Sequence, residues 1–208
     1  PAKLAALLTE RGLGNSRLTV LEAMGGLRER RRSAVAGAFD IDNIDPLNLV
    51  ALEVEGGRDA RVIPFTPGLP DDWFEHAGQI SKREVRALTV AALRPTRGET
   101  LWDVGAGSGS VAIEWMLCDP SLRACAIEEN ATRAARVTRN ALAFGVPDLR
   151  VIEAKAPVGF EALPDPDAIF IGGGSGDPGV VDACVDRLTS GGRLVINAVT
   201  VETTAEVF

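Results

Sequence analysis

An apolar run that ends in an acidic residue and three alternating glycines constrains this chain more than any other segment. It covers residues 100–110 and reads Thr-Leu-Trp-Asp-Val-Gly-Ala-Gly-Ser-Gly-Ser. The run predicts a strand. Gly105, Gly107 and Gly109 predict a sharp turn on which a ligand lies against bare backbone, and the apolar segment after Ser110 predicts a helix whose N-terminus faces that ligand. This order is typical of a nucleotide-type cofactor loop.

The residues around the glycines distinguish between nucleotide cofactors. A P-loop requires a lysine after the last glycine, and none follows Gly109. A dinucleotide fingerprint reads Gly-x-Gly-x-x-Gly, whereas here Asp103 precedes glycines spaced by one residue. A carboxylate disfavours phosphate and favours a cation, and S-adenosylmethionine carries both a sulfonium and an α-ammonium group. We therefore predict an S-adenosylmethionine site; a glycine-rich turn without a ligand is the alternative.

A second acidic residue follows the next predicted strand. The apolar run 122–127 ends at Glu128, about twenty residues after the loop, where a βαβ unit places the acidic residue that binds the ribose hydroxyls. Glu128 is thus the predicted ribose ligand. Glu129 is the alternative, but side chains alternate along a strand, and a solvated helix N-terminus accounts for it. Arg133, Arg136 and Arg139 are interpreted as a solvated helix face.

Composition excludes several classes of protein. The 208 residues are 46% hydrophobic, enough for one α/β core and a smaller element, and no run of about 18 apolar residues predicts a membrane span. The net charge of −7 argues against a nucleic-acid surface. Three cysteines without metal-ligand spacing indicate reduced core residues in a cytoplasmic protein without a metal site. His76 is the one histidine, interpreted as a loop or capping residue with a general base as the alternative, and the catalytic residues are left unassigned.

The alternation of patterns after Ser81 predicts an α/β fold with a Rossmann-like parallel sheet. Strands are predicted at 100–104, 122–127, 149–152, 167–171 and 193–199, and helices at 82–93, 109–117, 130–144 and 178–189. A complete S-adenosylmethionine-dependent methyltransferase sheet has two further strands, so we expect this domain to be truncated after the fifth strand.

The first 65 residues do not show the alternation of strand and helix patterns found after Ser81. A helix is predicted at 4–11, a strand at 17–22 and a buried strand at 47–55, too little to bury a core alone. The basic run at 28–32 is interpreted as a solvated loop or helix face, with substrate contact as the alternative. Residues 64–70 are predicted to form a stiff linker.

Motifs on both sides of the glycine loop form a recognisable set. They are residues 68–76 and 80–89, the loop itself, Glu128 and Ala156-Pro157. Together they closely resemble the C-terminal module of the precorrin-6Y C5,15-methyltransferase (decarboxylating) family. Segments 19–30 and 45–50 resemble the end of that family's tetrapyrrole-methylase module. The resemblance implies domains 1–65 and 66–208, with the first module partial and carbon-5 methylation absent from this chain by itself.

The resemblance also implies a function in cobalamin biosynthesis. The expected reaction is methylation of precorrin-6Y at carbon 15 from S-adenosylmethionine, with decarboxylation of the ring-C acetate. Implied cofactor contacts are Ser81, Gly105, Ala106, Gly107, Ser108, Gly109, Glu128 and Ala156, and the charge argument adds Asp103. Ser81 keeps the hydroxyl of the family's usual threonine, whereas Lys155 replaces a common acidic residue and leaves the adenine amino group to backbone near Ala156.

A tetrapyrrole of this kind carries several carboxylates, which need charged or N–H partners when desolvated. The predicted substrate-binding residues are Lys82, Arg83, Arg86, Gly173, Gly174, Ser175 and Asn197, with Thr200 as a further candidate. A solvated helix face is the alternative for the basic residues, and a flexible connector for the glycines. We expect a homo-oligomer that binds neither nucleic acid nor membrane. The rival functions are methylation of another small molecule or of RNA, and a non-catalytic cofactor-binding subunit.

Overall fold

The computed structural model describes residues 1–58 and 60–197, and the chain divides into two compact units between Ile63 and Pro64. Unit 1 contains one helix and three strands: α1 (Ala2–Glu10), β1 (Arg17–Glu22), β2 (Arg30–Val35) and β3 (Asn48–Glu53). The strands form an antiparallel sheet in the order β2-β1-β3. Ala5 and Leu8 of α1 pack against Leu18 of the central strand, and the three side chains are buried.

The basic run of unit 1 is divided between a loop and a strand: Arg28 and Glu29 lie in the loop before β2, as predicted, whereas residues 30–32 belong to β2. The carboxylate of Glu22 has no exposed surface and accepts hydrogen bonds from Arg32 at 2.9 Å, from Arg30 at 2.7 Å and from the Asp45 N–H at 2.8 Å. The Arg32 hydrogen bond, followed by the Asp45 N–H, lowers the pKa of Glu22 to about 2. Two of the positive charges of the run, those of Arg30 and Arg32, are therefore paired with Glu22 inside the protein. The strand predicted as buried is also mostly exposed, with Leu49 at 62%.

Unit 2 contains a five-stranded parallel sheet. Its strands are β4 (Thr100–Val104), β5 (Arg123–Glu128), β6 (Arg150–Glu153), β7 (Ala168–Ile171) and β8 (Arg193–Ile196), and its helices are α2 (Arg83–Leu93), α3 (Ser110–Cys118), α4 (Ala131–Phe144) and α5 (Val180–Arg187). The strand order is β6-β5-β4-β7-β8. The Rossmann-like α/β prediction is confirmed, and the predicted elements lie within a few residues of the observed ones. Residues 198–199 of the last predicted strand lie outside the described residues.

Burial explains why these patterns were readable. The inner strands β4, β5 and β7 are covered on both faces, and such strands are continuous apolar runs. Helix α4 is amphipathic: Ala134, Val137, Ala141 and Phe144 are buried at helical spacing. The helix begins where Asn130 accepts a hydrogen bond from the Arg133 N–H at 3.1 Å, and it ends at Gly145, whose φ is +76°. Within the described residues no helix combines the length and apolar content that crossing a membrane requires.

The sheet changes direction at β4, where a ligand crevice is expected. The chain adds β5 and β6 on one side of β4 and then β7 and β8 on the other, so the loops after β4 and β7 diverge at the carboxyl edge. These two loops still touch at their bases. Gly105 has a φ of +70°, and a Cβ there would lie 2.5 Å from the carbonyl oxygen of Gly173. A glycine at 105 is therefore required by protein backbone.

Arg86 of α2 and Glu114 of α3 form a buried ion pair. Arg86 Nε lies 2.5 Å from Glu114 Oε1, and the two residues are 0% and 2% exposed. Three other guanidinium N–H groups donate to Asp71 Oδ1 at 3.0 Å and to the carbonyl oxygens of Ser81 and Leu69. The predicted contact between Arg86 and substrate is therefore wrong, because Arg86 has no exposed surface and four of its five N–H groups donate to protein acceptors.

The same pair fastens the segment that precedes α2. Glu114 also accepts hydrogen bonds from the backbone N–H groups of Gly68 at 2.7 Å and Leu69 at 2.9 Å. These residues were predicted to belong to a linker, but Leu69 is 1% exposed and packs inside unit 2. A buried carboxylate needs such N–H and guanidinium partners, and this requirement decides the path of the chain.

We predict that Arg86→Ala lowers the free energy of unfolding by about 3–5 kcal/mol, because it leaves the Glu114 carboxylate buried without its charged partner. Urea denaturation measures the loss. Arg83→Ala is the control, since Arg83 is exposed on the same helix and should change stability by about 0.5 kcal/mol or less. Equal, small effects of both substitutions would contradict a structural role for Arg86.

Candidate functional site

A cleft of about 770 Å³ opens at the carboxyl ends of the parallel strands. The loops after all five strands contribute to its walls, together with residues 79–82 at the start of α2. This volume is in the range of small-molecule and cofactor sites. The predicted cofactor residues that line the cleft are Ser81, Gly105, Ala106, Gly107, Ser108, Glu128 and Ala156. The predicted substrate residues that line it are Lys82, Gly173, Gly174 and Asn197. Thr200 lies outside the described residues.

Five predicted residues lie outside the cleft lining formed by the described part of the chain: Asp103, Gly109, Arg83, Arg86 and Ser175. Gly109 has a structural reason to be glycine. Its φ is +74°, and a Cβ there would lie 2.6 Å from Cγ1 of Val137 on α4. The missing side chain makes room for a helix, so the predicted cofactor contact at Gly109 is replaced by a packing contact. Arg83 is exposed on α2.

Glu128 connects the second strand to the glycine loop. Its Oε2 accepts a hydrogen bond from the Gly107 N–H at 2.9 Å, and its Oε1 accepts one from the Asn130 N–H at 3.0 Å. The residue is 3% exposed, and it lines the cleft. A carboxylate offers about four acceptor positions, so each oxygen keeps one for a ligand hydroxyl. Glu128 thus shapes the loop and is able to bind a diol at the same time.

Gly107 leaves open space above the loop. Its φ is +61°, and a Cβ there would meet only one described heavy atom within 4 Å, the Gly105 carbonyl oxygen at 4.0 Å. The space that a side chain would occupy belongs to the cleft. A ligand can therefore approach the backbone closely here, which is the behaviour expected of a cofactor loop.

Asp103 lies beneath the loop at the end of β4. It is 1% exposed; Oδ2 accepts a hydrogen bond from the Ala112 N–H at 3.1 Å, whereas Oδ1 has no partner among the described residues. Burial raises the pKa of Asp103 to about 7; the Ala112 N–H opposes this shift and the negative charge of Glu128 adds to it. An unpaired buried acceptor is costly, and a nearby cation would relieve that cost. Asp103 does not line the cleft, so it could affect a bound cation only through its charge.

Sequence reasoning missed several charged residues of the cleft. Glu129 was directed away from the site by strand alternation, but β5 ends at Glu128, so the alternation no longer applies. Arg133 was interpreted as solvated, yet it lines the cleft and donates to Gln79 Oε1 at 2.9 Å. Lys155 pairs with Asp177 at 3.1 Å, and this contact raises the pKa of Lys155. Position after a parallel strand was the signal that could have found Glu129 and Lys155.

His76 caps its own loop. Its Nδ1 accepts a hydrogen bond from the Gly78 N–H at 3.0 Å, in agreement with the loop or capping interpretation. Among the residues with described positions, no group of three or more His, Cys, Asp or Glu side chains is arranged to hold a metal ion.

Comparisons with known proteins agree with this geometry. A family model described as a precorrin methyltransferase domain matches residues 72–208. The chain is 54% identical over 202 residues to a precorrin-6Y C(5,15)-methyltransferase [decarboxylating] of Sinorhizobium sp, an alignment that covers 97% of this chain and 49% of the relative. The chain thus spans about half the length of the curated relatives it matches.

Two solved structures resemble this fold. The C-terminal domain of precorrin-6Y C5,15-methyltransferase from Rhodobacter capsulatus has 44% identity and a TM-score of 0.65, over 70% of this chain and 78% of that one. Precorrin 8w decarboxylase from Methanobacterium thermoautotrophicum has 28% identity and a TM-score of 0.61, over 67% and 76%.

The raised pKa of Asp103 predicts an inverse pH dependence of stability. An aspartate has a pKa of about 4 in an unfolded chain, so between pH 4 and about 7 the native state holds a proton that the unfolded state has lost. Asp103 therefore destabilises the protein by up to about 1.4 kcal/mol per pH unit as the pH rises through this window.

Asp103→Asn keeps an oxygen to accept from the Ala112 N–H and does not titrate. Urea denaturation of both proteins at pH 5 and pH 8 should show the variant gaining stability relative to the parent at the higher pH. Parallel pH profiles would contradict the shifted pKa.

Proposed function

The chain belongs to the precorrin methyltransferase domain family, and on this premise we propose that it methylates a precorrin-6Y tetrapyrrole at carbon 15 and removes the carboxyl group of the ring-C acetate. We assign this chemistry to domain 66–208 and assign residues 1–65 to the end of a tetrapyrrole-methylase module. The observation that carries the proposal is the hydrogen bond between Glu128 and the Gly107 N–H. It places a carboxylate that can still accept hydrogen bonds beside bare backbone, at the edge of a parallel sheet.

S-adenosylmethionine fits the residues of the cleft. Glu128 would accept hydrogen bonds from both ribose hydroxyls, Gly107 would lie against the nucleoside, and backbone near Ala156 would hold the adenine. Asp103 Oδ1, which has no partner among the described residues, would supply negative charge to the α-ammonium group. When bound, S-adenosylmethionine supplies a methyl group that a carbon nucleophile can displace from a neutral leaving group.

Positioning accounts for the catalysis that this reaction needs from the protein. A displacement with a neutral leaving group requires no general acid, so alignment of the reacting carbon is the main contribution. Loss of carbon dioxide leaves an electron pair that the conjugated macrocycle accepts, and the former acetate carbon then takes up a proton from water to become a methyl group. No titrating side chain is therefore assigned as catalytic, and the work of the cleft is to hold the ring and its carboxylates.

Lys82 is the best placed of the predicted substrate cations. It lines the cleft, its side chain is 62% exposed, and its nearest carboxylate, Asp71, is 3.9 Å away. Lys82 and the backbone N–H groups of Gly173 and Gly174 are the proposed partners of substrate carboxylates, and Asn197 a neutral wall residue. The net charge of −7 favours a small-molecule substrate over RNA. Homo-oligomerisation and a cytoplasmic location stay predictions.

The function is tested by incubating the chain with precorrin-6Y and S-adenosylmethionine and following the product by mass spectrometry. We expect the gain of one methyl group and the loss of one carbon dioxide. Cofactor binding without any change in the tetrapyrrole would favour a binding subunit, and methyl transfer to RNA would favour the other rival.

Glu128→Ala tests the ribose assignment in a separate binding experiment. It should weaken S-adenosylhomocysteine binding, measured by calorimetry, by about 1.5–3 kcal/mol, the range for hydrogen bonds to a charged group. Glu129→Ala, at the adjacent position of the cleft, should change the affinity much less. If the two substitutions have equal effects, the ribose assignment of Glu128 is wrong.

Gly107 and Gly98 provide a matched pair for the loop. Both have positive φ, +61° and +84°, and a Cβ at Gly98 would meet no described heavy atom within 4 Å. Alanine at either position should cost roughly 1–2 kcal/mol of backbone strain. Only Gly107→Ala should also weaken cofactor binding, because only that methyl group enters the cleft. Unchanged affinity in Gly107→Ala, measured on folded protein, would remove the loop from the cofactor site.

A further inference from the structure

Asn140 is a buried amide on α4 that touches two walls of the cleft without lining it. It is 3% exposed. Its Nδ2 donates to the carbonyl oxygen of Ser108 at 2.8 Å and to that of Glu75 at 3.0 Å, and its Oδ1 accepts from the Glu75 N–H at 2.8 Å. Both amide donors are used, and one oxygen serves as acceptor.

The orientation of this amide follows from its partners. Two carbonyl oxygens require the nitrogen on their side, and one N–H requires the oxygen on the other. A carboxylate of the same shape could still accept from Glu75 N–H but would turn a negative oxygen toward both carbonyls. The isosteric substitution Asn140→Asp therefore removes both hydrogen bonds that the amide nitrogen donates, to Ser108 and to Glu75.

The two carbonyls belong to two different segments that contribute residues to the cleft. Ser108 lies in the glycine loop and lines the cleft. Glu75 begins the segment that runs through Gln79 to Ser81, and the last two residues line the cleft as well. Arg139 adds two hydrogen bonds to the Glu75 carboxylate, at 2.6 and 2.7 Å, but these reach only this segment.

Helix α4 also contacts the predicted ribose ligand, Glu128. Asn130, its N-terminal cap, donates its N–H to Glu128, and Val137 packs where Gly109 lacks a side chain. One rigid helix thus contacts the glycine loop, the ribose carboxylate and the 75–81 segment. Among these contacts, Asn140 is the one that joins two cleft walls through a single side chain.

We propose that Asn140 is a positioning residue that sets the distance between the glycine loop and the 75–81 segment. It thereby holds the cofactor site in its binding geometry before the ligand arrives. The inference rests on the proposed S-adenosylmethionine site. Asn140 touches no reacting atom; it acts through the Ser108 and Glu75 backbone. Its loss should therefore weaken cofactor binding in protein that is still folded.

The test uses the full chain with Asn140→Asp and Asn140→Ser, the second of which introduces no charge and serves if the first fails to fold. S-adenosylhomocysteine is titrated at a temperature well below each melting transition. The dissociation constant should rise about tenfold or more, because buried carbonyls lose their donors and the loop relaxes. Hydrogen exchange of the ligand-free proteins should increase both at 75–81 and at 105–109.

Two controls separate positioning from general destabilisation. Leu93→Ala removes a fully buried side chain at the far end of α2 and should lower the melting temperature with no change in the dissociation constant. Arg139→Ala should raise exchange at 75–81 alone. An Asn140 variant that binds like the parent, or whose exchange is unchanged at 105–109, overturns the proposal. A parent chain without cofactor affinity instead overturns the proposed function, and the ligand-free exchange still reports on Asn140.

Discussion

The ion pair between Arg86 and Glu114 is the interaction on which the architecture of unit 2 depends. Both charges are out of contact with solvent, and each is stabilised by the other and by neighbouring backbone N–H or carbonyl groups. The segment that satisfies these charges leads directly to Ser81, at the cleft. A structural requirement for neutralising buried charge thus determines where one wall of the ligand site runs.

From this wall the same logic extends across the site. Asn140 joins the incoming segment to the glycine loop, Glu128 joins that loop to the second strand, and Gly105 meets Gly173 where the strand order reverses. Asp103 lies beneath this arrangement, and one of its oxygens has no partner among the described residues. The cleft is therefore built from polar groups that are partly satisfied by the protein and partly left for a ligand. A site of this kind binds by prior organisation, since little ordering remains for the ligand to impose.

The outcome for the arginines illustrates how charge alone misleads. Arg83 and Arg86 both lie near Ser81 in the sequence, and the helical period does not tell which one faces the protein. The structure buries Arg86 against two carboxylates and exposes Arg83, while Lys82 remains at the cleft. Similarly, the basic run of unit 1 is partly neutralised by Glu22, ten residues or fewer away in the chain. An arginine or lysine is available to a ligand only if it does not already form an ion pair with a carboxylate of the protein.

The sequence by itself determined the α/β class, the strand and helix positions of unit 2 and the core of the cofactor loop, because these follow from local rules: apolar runs for inner strands, helical spacing for α4, and glycine where φ is positive. It also located Glu128, since the end of a parallel strand always faces the crevice. Only the tertiary structure decided which of these residues line the cleft. Gly109 packs against Val137, Arg86 forms an ion pair with Glu114, and Glu129 and Arg133 line the cleft. The physical reason is that burial and pairing depend on partners from distant parts of the chain, which no local pattern specifies.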